Sequence, residues 1–244
     1  MLHRDAATTR RLRNWVIAIT LLAGASAGAA STPSERPANP FPSLHGAPLK
    51  QYRAYRRMHA RSEHFGQEAW LEAWTEMDAR GFRYGIVSES GSDYIRTKVL
   101  KAVLKREQEL VADGECQRSE LTPDNYDFQE AAPGNGGERY VTIKPKRKDV
   151  LLVDGRMVLS ADGRELLRVE GRLSKNPSFW TSLVNVIRHY ARVDGVRVPI
   201  ATESTARVKF AGVSYLDVSY EYETINGRPV SMASRQMLPP ATMR

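Results

Sequence analysis

The sequence predicts a mainly β (α+β) fold, a curved antiparallel sheet forming an open half-barrel with one long amphipathic helix packed over it. Three observations carry this expectation. Residues 149–222 alternate apolar and polar side chains at period two over successive runs, as half-buried strands require. Asp162-Gly163, Asp194-Gly195 and Ala211-Gly212 stand between the runs, and such pairs suit the positive φ of tight hairpin turns. From Ser92 the apolar period lengthens to that of a helix.

In chain order, Met1 to Ala30 sets Arg10, Arg11 and Arg13 before the apolar run Trp15 to Ala23, with an Ala-x-Ala site after it. That pattern predicts a secretory signal peptide over residues 1–30 and a periplasmic destination. Because Arg13 and Asn14 stand where a twin-arginine signal is usually apolar, the general secretory route is expected. No cysteine lies near the cleavage region, which speaks against a lipid anchor. With Cys116 as the single cysteine, no internal disulfide can form. Five prolines in residues 31–49 predict an extended, flexible leader.

The folded domain is expected over residues 50–230. Tyr52, Ala54, Met58 and Ala60 alternate against Arg53, Arg57, His59 and Arg61. Ala69, Leu71, Ala73 and Met77 alternate against Trp70, Glu72, Trp74, Glu76 and Asp78, and Phe82, Tyr84 and Ile86 follow Arg80-Gly81. Three strands with short turns are the reading. Ile95, Val99, Leu100, Val103, Leu104, Leu110 and Val111 then share one helical face, while Arg96, Lys98, Lys101, Lys105 and Arg106 take the rest. Ser92 is placed to cap this helix and Gly114 to close it. Glu115 to Gly137 reads as a long turn-rich connection, and strand character returns at Tyr140 to Ile143.

In the central run, Leu167, Val169 and Leu173 share a parity opposite Arg168, Glu170 and Arg172. Val184, Val186 and Tyr190 oppose Leu183, Ile187, Ala191 and Val193, so this strand is apolar on both faces and wants cover from two sides. Phe179 and Trp180 enter it as a hydrophobic anchor. Pro199 marks a bulge or an edge. Leu216, Val218, Tyr220 and Tyr222 close the series. About nine strands result, and residues 231–244 are a tail expected to fray or add an edge segment.

Composition excludes disorder: 41% of residues are hydrophobic and 26% charged. The net charge is +8, and the signal segment carries four Arg against one Asp, leaving +5 for the mature chain. A basic exported protein is expected to meet an anionic membrane surface, or another envelope protein, rather than nucleic acid. Catalytic and nucleotide-binding motifs are missing from the sequence. His59, His64 and His189 are not spaced as metal ligands, the Glu72, Glu76 and Asp78 row accompanies Trp70 and Trp74 on an amphipathic strand, and Cys116 has no base beside it. No enzyme, cofactor or metal is expected.

An export signal, three strands, a helix, and a meander containing Val150-Leu151-Leu152-Val153-Asp154-Gly155 and Asp162-Gly163-Arg164-Glu165-Leu166-Leu167-Arg168-Val169-Glu170-Gly171 resemble the outer-membrane lipoprotein-sorting superfamily of LolA, LolB and RseB type. Asn176 to Trp180 and Tyr220 to Gly227 are similar to uncharacterised exported members. The resemblance implies a half-barrel with a helical lid around an apolar cavity for acyl chains or a lipidated partner. The groove candidates are Trp70, Trp74, Phe82, Tyr84, Leu167, Val169, Trp180, Val184, Val186 and Tyr190, with Ile95, Val99, Val103 and Leu104 on the lid. The expected function is non-enzymatic holding of a lipid, acyl chain or lipoprotein. The alternative is an envelope interaction or sensing module with a filled core.

Overall fold

The computed structural model describes residues 47–130, 136–209 and 212–237; the expected signal peptide, residues 31–46 of the leader and the last seven residues lie outside that range. Strands β1 (Tyr52–Ser62), β2 (Gln67–Asp78) and β3 (Gly81–Gly91) form the first meander. Helix α1 follows as one continuous run of 20 residues, Asp93–Ile95, a π-helical stretch Arg96–Leu100, and Lys101–Ala112. After a 3-10 turn at Glu115–Ser119 come β4 (Tyr126–Glu130), β5 (Arg139–Pro145), β6 (Val153–Leu159), β7 (Leu166–Leu173), β8 (Thr181–Val193), β9 (Val196–Val208), β10 (Gly212–Ile225), β11 (Arg228–Pro229) and the short helix α2 (Met232–Met237).

All eleven strands belong to one open antiparallel sheet in the order β3-β2-β1-β10-β9-β8-β7-β6-β5-β4, with β11 beside β10. Two strands exceed the expectation: β4 arises inside the stretch read as a turn-rich loop, and β11 is a two-residue return after Asn226-Gly227. The tail carries α2 rather than a frayed edge. Since β3 and β4 are the two edges of the sheet, α1 links one edge to the other. It packs on β1 to β3 through Ile95, Leu100, Val103 and Leu104, and its last turns bring Leu110 against Leu151 in the β5–β6 connection.

Turn chemistry fixes the hairpins. Asp194 and Asn226 adopt positive φ, each followed by a positive-φ glycine, the two-residue turn that suits right-twisted strands. Gly114 ends α1 in the left-handed region, as expected. Ser92 does not cap the helix; its hydroxyl donates to Gln67 Oε1 at 2.9 Å.

Bulges reset the parity of four strand pairs, β1–β10, β2–β3, β6–β7 and β8–β9. Opposite Tyr190, Pro199 sits at a register shift in central β9, so the proline marks a bulge and not an edge. A second shift between Val158 and Leu159 leaves Leu167 without a partner and turns Leu166 into the buried residue. Gly155 faces Gly171 across β6 and β7, where a side-chain carbon on either would run into the facing backbone. That close approach demands glycine on both strands.

Candidate functional site

Two apolar clusters occupy the face of the sheet turned toward α1. The larger joins β1–β3 and β8–β10 to the helix: Phe82, Val184 and Val186 are buried with Ile95, Val103 and Leu104, and Tyr84, Val99 and Trp180 pack at its margin. Val169 belongs to the second, built from β4–β7, with Tyr190 packed against it. The expected groove and lid residues are thus divided between two clusters on one face.

Four placements differ from the sequence reading. Trp70 and Trp74 lie on the opposite, solvent-facing side of β2, because Ala69, Leu71, Ala73 and Met77 hold the inner parity. Trp70 stacks on His59 with ring centroids 4.6 Å apart, and Trp74 meets Tyr55 edge-on beneath the Arg53 guanidinium. Leu167 is the bulge residue described above. Phe179 is 79% exposed with the Lys209 ammonium over its ring, so Trp180 alone serves as the anchor.

A polar centre is set within the larger cluster. Arg56, on the same parity as Ala54 and Met58, is fully buried, and its Nη1 donates to Glu107 Oε2 at 2.6 Å. Glu107 is the one acidic side chain that α1 buries. Arg56 Nη2 also donates to Glu107 Oε1 and to the Tyr52 hydroxyl, and its guanidinium lies 4.7 Å from the Tyr220 ring centroid. The Tyr222 hydroxyl donates to the Pro199 carbonyl at 2.8 Å, and Tyr126 accepts the Val153 amide at 3.0 Å.

Arg188 joins this centre from β8. It pairs with Val169 and Thr202, hydrogen-bonds Tyr190, and interacts electrostatically with Tyr220 and Tyr126. Tyr126 lies four strands away from it in the sheet order. Burial pushes the Tyr126 hydroxyl up to about 12 and raises Tyr52, Tyr220 and Tyr222 as well. All four therefore remain protonated at neutral pH.

Three buried polar atoms of this centre have no hydrogen-bond partner among the described residues: Arg56 Nε, the Thr202 hydroxyl and the Tyr220 hydroxyl. A buried polar atom left without a partner costs about 1–3 kcal/mol, and ordered water is one way such a group is satisfied.

The other chemical candidates are engaged elsewhere. Glu72 accepts from Tyr55 and Ser88, Glu76 pairs with Arg53 and Arg83, and Asp78 pairs with Arg80 and Arg83. His59 meets Glu68 and His189 meets Glu203, each at 3.2 Å, while His64 packs on Phe65. Among the described residues no group of three or more His, Cys, Asp or Glu is placed to hold a metal. Burial raises the Cys116 thiol, opposite to the shift a nucleophile needs.

What the fold and this centre define is an open, curled antiparallel sheet closed on one side by a helix that is tied down through a buried ion pair. No protein-family model matches the chain, and no significant match is found among curated proteins. Among solved structures, the chain is similar to a DUF1329 family protein from Desulfovibrio piger, with 10% identity over 78% of this chain and 90% of that one, at a TM-score of 0.33. A likeness this distant carries no functional argument.

Proposed function

We propose that this chain is an exported, periplasmic binding protein that holds a lipid or acyl chain against the helix-facing side of the sheet and catalyses nothing. The observation that carries the reading is the presence, on one curled face, of two apolar clusters, the larger of which holds buried polar atoms with no hydrogen-bond partner among the described residues. A core built only for stability would pair those atoms or replace them with carbon. Amphiphile sites combine apolar walls with a few fixed polar groups in this way. Titrating the purified protein with a fluorescent fatty acid tests it: saturable uptake at about one per chain supports the reading, and no uptake counts against it.

A second reading, an envelope interaction module with a filled core, has one observation in its favour. On edge strand β3, beyond the register shift between Glu72 and Ala73, Ile86 and Val87 are 40% and 54% exposed. Such an edge can accept a strand from another protein. Crosslinking from position 87 to an envelope protein, in a preparation that takes up no lipid, would favour this reading over the first.

A further inference from the structure

Antiparallel pairing sends alternate turns to opposite ends of the sheet. Ser62 of β1 stands beside Gln67 of β2 and Ser214 of β10, Val208 of β9 beside Gly212 and Thr181, and Leu173 of β7 beside Val153 of β6. The β1–β2 turn, the β7–β8 loop and the β5–β6 connection therefore share one end, and Gly91 beside Ala69 brings the start of α1 there too. Exposed aromatic side chains gather at this end. Phe65 in the β1–β2 turn is 57% exposed, Phe179 in the β7–β8 loop 79%, and Tyr94 in the first turn of α1 is exposed as well. Cations stand among them: the Lys209 ammonium lies 4.4 Å from the Phe179 ring centroid. Lys146 and Arg147 meet Asp127 and Asp149, whereas the exposed Lys148, Lys175 and Lys209 enter no ion pair among the described residues. Of the acids, Glu63 accepts from the Tyr215 hydroxyl, Asp93 pairs with Arg96, and Asp124 precedes edge strand β4, far from Phe65 in the strand order. Cations alone do not distinguish the two ends, since Lys50 and Arg228 are exposed at the other. The conjunction with aromatic side chains does: among the described residues the opposite end exposes Met232 of α2 and no aromatic ring.

We infer that this end of the sheet is a docking surface for an anionic lipid bilayer. Phe65 and Phe179 enter the acyl boundary, while Lys148, Lys175 and Lys209 remain at the level of the head groups and meet their phosphates. Each kind of residue has its own work. An apolar ring held out in water gains by leaving it, and a lysine near an anionic surface is drawn to it and reaches the head groups on its long apolar stem. The combination is the one that peripheral membrane binding uses, apolar insertion with electrostatic attraction. A bilayer is the occupant that this layout favours over a folded protein, because β10 and β9 stand between the two phenylalanine-bearing turns. A fluid surface accepts two separated anchors, whereas a protein would need a matching pocket for each. The inference goes beyond the reading that the inner face holds a lipid and does not depend on it.

Co-sedimentation of the full chain with phosphatidylcholine vesicles, with and without phosphatidylglycerol, tests it. The wild-type chain is expected to sediment with the anionic vesicles and to be released by salt. Phe65→Ser with Phe179→Ser should lower partitioning roughly 10- to 100-fold. Lys175→Gln with Lys209→Gln should lower it roughly 10- to 30-fold on anionic vesicles and leave the weaker binding to phosphatidylcholine unchanged. Met232→Ser with Arg228→Gln, at the opposite end, should change neither. All the variants share the wild-type N-terminal segment, so whatever that segment adds cancels between them. Equal loss in the opposite-end variant, or binding that ignores head-group charge, overturns the assignment. Capture of an envelope protein by this end without vesicle binding overturns it too, and makes the surface a protein interface. A chain that takes up fatty acid and stays out of the vesicle pellet contradicts the docking surface and leaves the lipid-holding reading intact, and the reverse outcome separates them the other way. The comparison of the two vesicle types needs no variant, so a substitution that fails to fold does not blunt it.

Discussion

Arg56 Nη1 and Glu107 Oε2 lie 2.6 Å apart with both side chains almost wholly buried, and this contact joins β1, the third strand from the β3 edge, to the inner face of α1. Removing one partner strands a buried charge, at a cost of about 3–5 kcal/mol, whereas replacing both by carbon chains of similar volume is often neutral or better. Arg56→Met or Glu107→Leu alone should therefore lower the denaturant midpoint sharply, and the double substitution should recover most of the loss. A double variant as unstable as the sum of the singles would show that the two side chains are not coupled.

Gly155 and Gly171 should resist even the smallest enlargement. The side-chain carbon in Gly155→Ala would overlap the Glu170 carbonyl and the Gly171 backbone, forcing β6 and β7 apart. A loss of about 1–3 kcal/mol is expected from overpacking of this kind. Gly66→Ala meets no atom within 4 Å and bears only its own backbone strain at φ +57, so denaturation of the two variants separates steric overlap from conformational preference.

Asp217 on the outer face is a liability at neutral pH. Burial and the facing Glu203 raise its carboxyl, against the pull of His59 and Arg61. A raised folded value means that the stabilising contribution is whole below the unfolded value of about 3.9 and is lost as pH rises through the folded one. Asp217→Asn should thus stabilise the chain at pH 7, by less than about 1 kcal/mol because the group is part-exposed and screened. The gain should vanish near pH 3.

Asp149 works in the other direction. Burial would raise its carboxyl, but the Leu151 amide and the Arg118 and Arg147 guanidinium groups outweigh it and hold the value below the ordinary carboxylate range. Its stabilisation is present above about pH 3.9 and fades as pH falls through the lowered folded value. Asp149→Asn should cost about 1–3 kcal/mol at pH 7, and urea titrations of the two proteins should converge in acid.

The antiparallel strands, the helix over them and the hairpin turns were legible because period, turn residues and the Gly114 stop all act over a few neighbouring positions, whereas the pairing of β1 with β10 joins segments far apart in the chain. Of the bulges, the one at Pro199 announces itself chemically, whereas Leu167 interrupts a parity that reads as continuous until the facing strand is known. β4 was hidden because Tyr126 and Phe128 make too short an alternation among Pro123, Asp124 and Asn125. The polar centre did leave a signal. Arg56 shares the parity of Ala54 and Met58, Arg188 that of Val184 and Val186, and Glu107 falls between Leu104 and Leu110 on the apolar stripe. These three charges stand at apolar positions, and a charge on a dry face acquires meaning only from its partner on another element.

Native mass spectrometry of the protein purified from its own cells tests the lipid-holding reading most directly. The expected result is a population heavier than the bare chain by one lipid, released on unfolding and recovered by solvent extraction. A single bare mass, together with no uptake when the chain is offered fatty acids, would contradict it.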